Sequence, residues 1–416
     1  MSLCRPAALG GATAVSSVAP VEHRYRGALR PCLALADRSR IDEPHSVRAS
    51  KLRRVTRVLI LTASVGEGHD LPARTLAAQL REECPGVEVV IEDGLKVMGK
   101  VFVLVTERGA GVVFFRFRWL WDATFWLCVG FGPTRRLTQK LARRLGSRGM
   151  LELIERVDPD VIVSVYPVAT EVLGGLRRQR ALEIPVVAGI TDLAALHYWA
   201  APGVDLHLLT HPESEEEVRT VAGDDTDVQA VHGLTRPEFA RPCDPADARV
   251  TLGLPREGKV VLVSGGGWGV GDLESAIDTA LRLDEVEVVA CLCGRNADLH
   301  ARLSARYDGE GRVRLVGFTE RMSEWLAAAD TLIHSTGGLT VHEAHIRGCP
   351  AISYGWGRGH IRVNNAAFRR YGIADVVAGP RELDSALRSA LAARPEPGFS
   401  LGALPSAASL VLALVA

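Results

Sequence analysis

His334-Ser335-Thr336-Gly337-Gly338-Leu339-Thr340-Val341-His342-Glu343-Ala344 reads as a strand end, a Gly-Gly turn and the opening of a helix. Loops of this kind lie at the carboxyl edge of an open parallel sheet, the place where such sheets bind ligands. The start of a helix presents unpaired N–H groups and a partial positive charge, which suits a diphosphate. Glu343 falls one turn in. There a carboxylate is a poor neighbour for phosphate, but it can reach a ribose diol through paired hydrogen bonds; taken singly, it also fits as an ordinary acid favoured by the helix dipole.

Working outward, Lys259 to Ser264 is a buried strand that runs into Gly265-Gly266-Gly267. The spacing predicts helices near 272–283, 297–307, 321–329, 339–348 and 362–371, alternating with strands near 286–293, 312–316, 331–334 and 350–353. That alternation is the signature of βαβ units around a parallel sheet. The same period runs through the first half, with strands at 57–63, 87–92, 160–166, 184–191 and 205–210, a helix at about 70–83 and basic amphipathic helices within 135–156. The expected fold class is α/β, with two Rossmann-like domains at 55–235 and 259–395. Pro237, Pro242, Pro245 and Pro255 mark 236–258 as a linker. Residues 1–54 read as a disordered or transit-like extension, and 396–416 as an apolar tail able to dock as a helix or to touch lipid.

Composition narrows the class. The chain has 416 residues, 49 basic against 49 acidic, and no basic excess that would point to nucleic acid. Its eight Cys include no C-x-x-C pair, so neither a zinc site nor a disulfide framework is expected, and the thiols read as reduced core residues in a cytoplasmic setting. No apolar run reaches the roughly 20 residues of a spanning helix. Residues 100–148 are locally basic, with ten Lys/Arg against Glu107 and Asp122, and hold three of the seven Trp and six of the ten Phe. Trp119, Trp121 and Trp126 belong to this segment, and Leu137, Leu141 and Leu145 recur every four residues beside Arg136, Lys140 and Arg144. An apolar stripe beside a basic one suits an anionic lipid surface; the bland alternative is an aromatic core under a solvated helix.

Three further loops carry polar groups. Ser64-Val65-Gly66-Glu67-Gly68-His69 follows the first strand, with glycines that admit a close ligand and an imidazole at the helix opening. Thr191-Asp192-Leu193, followed by His197 and Trp199, places a carboxylate and a second imidazole at the same sheet edge, although Asp192 also fits as a cap. Gly265-Gly266-Gly267 lacks the trailing glycine and acidic strand end of a dinucleotide fingerprint, and no Gly-Lys-Ser/Thr context exists for a P-loop.

From about 57 to 376 these motifs, in this order, resemble a glycosyltransferase family. It includes monogalactosyldiacylglycerol synthase, processive diacylglycerol glucosyltransferase and the peptidoglycan lipid-intermediate N-acetylglucosaminyltransferase. The series runs from the loop ending in His69 through Thr191-Asp192-Leu193, Val231-His232-Gly233-Leu234, Gly265-Gly266-Gly267, Cys293-Gly294-Arg295-Asn296 and Gly317-Phe318 to Ser335–Glu343, Arg347-Gly348-Cys349-Pro350 and Asn364.

The resemblance implies a GT-B fold with two sheets facing across a cleft, and an inverting transfer of a hexose from a UDP-sugar to a lipid hydroxyl. By position, Gly317 and Phe318 would line the base, Glu343 would hold the ribose, and Ser335, Thr336, Gly337 and Gly338 would face the diphosphate. Gly265, Gly266, Gly267, Asn296 and Asn364 complete the donor side. Gly66, Gly68, His197, Trp199 and the three Trp of the basic segment fall on the acceptor and membrane side. His69 and Asp192 are the two candidate bases, and no metal or cofactor is implied.

The sequence departs from the family pattern at Glu67, and at Gly359-His360-Ile361-Arg362-Val363-Asn364, where the family often has Gln or Glu contacting the sugar. Rival readings are a nucleotide-sugar epimerase of the same fold, a non-catalytic nucleotide-sugar-binding or membrane-adaptor protein, and a transferase with a soluble acceptor. The expected location is cytoplasmic, peripheral to the membrane.

Overall fold

The computed structural model describes residues 55–63, 67–104, 126–193, 196–355, 359–393 and 403–415. The N-terminal 1–54 extension lies outside the described residues. β1 (Arg57–Thr62) is a β-branched run in which Val58, Leu59, Ile60 and Leu61 are fully buried, as expected of a strand covered on both faces. It joins β2 (Glu88–Asp93), β3 (Val161–Ser164), β4 (Val186–Ile190), β5 (Leu206–Leu209) and β6 (Asp227–Ala230) in a parallel sheet of order β2-β1-β3-β4-β5-β6. A second parallel sheet has the order β12-β11-β10-β7-β8-β9. Its strands are β7 (Lys259–Ser264), β8 (Val286–Leu292), β9 (Val313–Val316), β10 (Thr331–His334), β11 (Ala351–Tyr354) and β12 (Asp375–Val377).

The first sheet is flanked by α1 (Glu67–Glu83), α2 (Gly94–Met98), α3 (Lys100–Val103), α4 (Gly132–Val157), α5 (Pro167–Arg178), α6 (Leu196–Trp199) and α7 (Glu215–Ala222). The second has α8 (Pro245–Leu252), α9 (Leu273–Leu281), α10 (Ala297–Arg306), α11 (Met322–Ala328), α12 (Gly338–Ile346), α13 (Gly359–Tyr371) and α14 (Pro380–Ala392), and α15 (Ala407–Ala413) ends the chain. Strand order reverses between β1 and β3 and again between β7 and β10. Each reversal opens a crevice at the carboxyl ends of the strands.

The structure adds elements to the sequence reading, the helices α5, α7 and α14 among them. β6 and β12 were not expected; both are short edge strands with only two apolar residues each, so neither carries a readable apolar run. The 236–258 segment is not a plain linker. Asp244 accepts from the Ala246 and Asp247 N–H groups, and Pro245 opens α8, so this proline starts a helix rather than breaking one. Phe239, Ala248 and Leu254 are buried in the second-domain core.

The apolar tail, finally, is a docking helix that returns to the first domain. Ala407, Ala408 and Val411 are fully buried beside Leu76 and Leu80 of α1. The Ser406 and Ser409 hydroxyls bind Glu83 at its end. Burying Val411 alone contributes about 1.5–3 kcal/mol.

Candidate active site

β10 delivers the loop quoted first. Thr331 to His334 are buried between β7 and β11, so the chain emerges in the crevice at the second reversal. Gly337 caps α12 without a side chain, and the first turn holds no acid. The opening N–H groups of α12 therefore need acceptors from elsewhere. One comes from the first domain: Asp192 Oδ1 accepts from Gly338 N–H at 3.3 Å and from Asn364 Nδ2 at 3.4 Å. Glycine makes this approach possible. A Cβ on Gly338 would stand 3.2 Å from the Thr191 carbonyl oxygen and from His211 Nε2, and one on Gly337 would stand 3.3 Å from Asp192 Oδ1.

Ser335 and Thr336 use their side chains to shape the loop. Ser335 Oγ donates to the Tyr354 carbonyl at 3.0 Å. Thr336 N–H donates to His334 Nδ1 at 3.2 Å, and its hydroxyl lies 2.9 Å from the same nitrogen. With both hydroxyls engaged, the main chain is left to face a ligand. One turn on, Glu343 is buried with Oε1 unpartnered. Burial pushes its carboxyl up to about 7, with Arg236 opposing and Glu238 reinforcing the shift. A carboxylate buried in this way gains most from a ligand that brings hydroxyl donors.

The neighbouring loop is packed backbone to backbone. Gly266 has φ 69°, a Cβ on Gly265 would meet the Val270 carbonyl oxygen at 2.5 Å, and one on Gly294 would strike the Gly266 carbonyl. Arg295 N–H closes the pair by donating to the Gly267 carbonyl at 2.8 Å. Asn296, expected on the donor side, has a scaffold role: it caps α10 through Leu299 N–H at 2.9 Å and donates to the Trp268 carbonyl at 3.3 Å. Phe318 stays partly exposed under the Arg295 guanidinium, 3.6 Å from its ring centroid. The nearest group to a Cβ on Gly317 would be 3.9 Å away, which leaves open space beside that ring.

In the first domain, Thr62 Oγ1 donates to Asp70 at 2.9 Å and ties the start of α1 to β1. Gly68 and His69 lie in the first turn of that helix, and their side-chain surroundings fall outside the described residues, as do Gly66, Trp119, Trp121 and the side chain of Trp126. His197 is exposed, with its carbonyl accepting from Gln139 of α4 at 3.2 Å. Partial desolvation by its neighbours and the charge of Arg135 hold its imidazole below the ordinary range, with Glu217 opposing. Trp199 corrects the sequence reading. It is 3% exposed in an apolar cluster with Ile190, Leu209 and Val218, because α6 turns its indole toward the sheet and not toward the cleft.

The burial of Leu193 and the place of His211 in the site were missed. Leu193 is buried in the apolar cluster of the second domain, so the 191–193 segment crosses the cleft. His211, just beyond β5, is buried against the Gly338 backbone with no well-formed hydrogen bond at Nε2, and its ring meets His342 edge-on at 4.9 Å. Burial drives it down to about 3, with the Gly338 backbone opposing. Its place at a strand's carboxyl end was the available signal.

Comparison with known proteins agrees with this fold. Residues 69–234 match the family described as monogalactosyldiacylglycerol (MGDG) synthase. A processive diacylglycerol beta-glucosyltransferase of Bacillus subtilis (strain 168) is 26% identical over 343 residues, covering 81% of this chain and 87% of that protein. The chain is a GT-B glycosyltransferase. Among solved structures, the spinosyn rhamnosyltransferase SpnG complexed with thymidine diphosphate shares the fold at TM-score 0.54 and 18% identity, covering 86% of the transferase and 100% of SpnG. MurG of Acinetobacter baumannii does so at TM-score 0.51 and 16% identity, covering 86% and 99%. Among the described residues of the transferase, no helix is long and apolar enough to cross a membrane.

Proposed function

We propose that this glycosyltransferase moves a hexose from a UDP-sugar to the hydroxyl of a diacylglycerol-type lipid at a membrane surface, with inversion. The observation that carries the reading is the crevice at the β7/β10 reversal: an α12 terminus whose own N-cap residue, Gly337, has no side chain, followed one turn later by buried Glu343 with its Oε1 unpartnered. The α12 N–H groups hold the diphosphate, Glu343 accepts from the ribose hydroxyls, and the base lies beside Phe318.

Direct displacement at the sugar C1 forms the bond to the acceptor oxygen and breaks the bond to the diphosphate, whose electron pair leaves with UDP. The acceptor proton passes to a base. Of His69 and Asp192, Asp192 is favoured because its carboxylate reaches the donor crevice. The helix terminus stabilises the leaving group and no metal is needed; activity unchanged in EDTA is the expected check.

The lipid part of the proposal is supported by α4. Leu137, Leu141 and Leu145 are 64%, 51% and 44% exposed along this helix, beside exposed Arg136, Lys140 and Arg144, with exposed Leu127 and Phe131 just before it. Such a stripe gains by entering the headgroup region of an anionic bilayer. The direct test supplies radiolabelled UDP-hexoses and diacylglycerol in vesicles containing anionic lipid. Label in the lipid extract is expected, and its absence across the common donors would overturn the proposal.

A further inference from the structure

We propose that Asp192 is a latch on the donor site: its carboxylate caps α12 from the opposite domain, in the seat a donor phosphate takes, so that donor binding and release of the catalytic carboxylate are one event. This rests on the donor reading above and adds to it an order of events.

A helix that starts on Gly337 with no side-chain cap and no first-turn acid leaves its opening N–H groups unsatisfied. Asp192 supplies an acceptor from 146 residues away in sequence, and Asn364 Nδ2 donates to the same oxygen. Leu193 anchors the segment by burying itself in the second-domain core, and His211 closes the other side against Gly338.

One helix terminus does not accommodate a carboxylate and a diphosphate together, because the two anions repel while competing for the same N–H groups. The two hydrogen bonds, at 3.3 and 3.4 Å, are long beside the 2.7–2.9 Å usual for charge-assisted pairs. A diphosphate, with more charge and more acceptor oxygens, displaces such a contact. Asp192 then becomes free to take the acceptor proton only when a donor is in place, which enforces donor-first order.

The test uses the full chain with UDP and uridine as probes. Calorimetric titration of Asp192→Ala should show UDP binding roughly tenfold tighter than to wild type, the effect of removing one charge-assisted competitor, with uridine binding unchanged. Amide exchange at Gly338 separates a real cap from remote repulsion. Without nucleotide the amide should be protected in wild type, exposed in Asp192→Ala and protected again on adding UDP.

Asp192→Asn keeps an acceptor oxygen and should retain much of the protection, which guards against a variant that merely misfolds. If UDP binds both proteins equally and Gly338 exchange ignores the substitution, the latch is overturned and the donor reading stands. If UDP binds neither protein, the donor reading itself falls, and the latch with it.

Discussion

The crevices at the two strand reversals are built from different materials. In the second domain, Gly265, Gly266, Gly294 and Gly338 let main chain pack on main chain, and the side chains of Ser335 and Asn296 hold that shape from behind. In the first domain the crevice is framed by side chains. Thr62 holds Asp70, the Thr170 hydroxyl donates to Ser164 Oγ at 2.9 Å, and Arg143 pairs with the buried Glu171 at 2.8 Å. The lesson is chemical: a backbone crevice recognises an anion and a helix terminus, features any nucleotide-sugar enzyme needs, whereas a side-chain crevice can be rewritten to suit an acceptor.

The largest effect expected on that contrast comes from the group that reaches from the first domain into the second-domain crevice. Asp192→Ala should lower kcat by about 10²–10⁴-fold, the range for loss of a general base. Full retention of kcat, with the loss appearing in His69→Ala instead, would move the base to the loop after β1. Next comes the first domain's outer face. Leu137→Glu with Leu141→Glu should cut co-sedimentation with anionic vesicles about tenfold or more, while leaving UDP affinity unchanged.

In the second-domain crevice, Glu343→Gln should raise the donor KM about tenfold, the cost of one charge-assisted hydrogen-bond pair. Its pH signature is separate. The Glu343 carboxyl is raised to about 7 when folded, against an ordinary 4.5, so the folded state favours the proton and stability is lost as pH rises through that window. The Gln variant should therefore be more stable than wild type at pH 8 by roughly 3 kcal/mol, with no such gain below pH 4.5, as read from urea midpoints.

The smallest effect probes the seam. His211 and His334 are held neutral by burial, both down to about 3. The unfolded chain protonates them below pH 6.5, so stability falls with acidification by about 1.4 kcal/mol per pH unit for each histidine. His211→Gln should remove one proton's share of that slope, and a slope unaltered by the substitution would mean the seam opens before the fold does.

Much of the second domain was legible because buried parallel strands write themselves as unbroken β-branched runs and their loops as glycines. Thr331–His334 and Lys259–Ser264 coincide with the expected strands. β6 and β12 escaped because each offers only two apolar residues, where the edge strands that were expected, β2 and β9, offer three. Trp199 was misplaced because an aromatic near a polar loop looks the same in sequence whether it faces the cleft or the core. His211 was passed over because its significance lies in touching Gly338, and nothing in the residues around it announces a partner more than a hundred positions away.

The sequence by itself determined two α/β domains, the order of the loops and the residue types they carry, since hydrophobic period, glycine and chain order are local properties. Only the tertiary structure decided that α15 completes the first domain, that 236–258 packs on the second, and that Asp192 caps a helix across the cleft. Those are contacts between segments far apart in the chain, and they depend on how two surfaces meet, which no local pattern encodes.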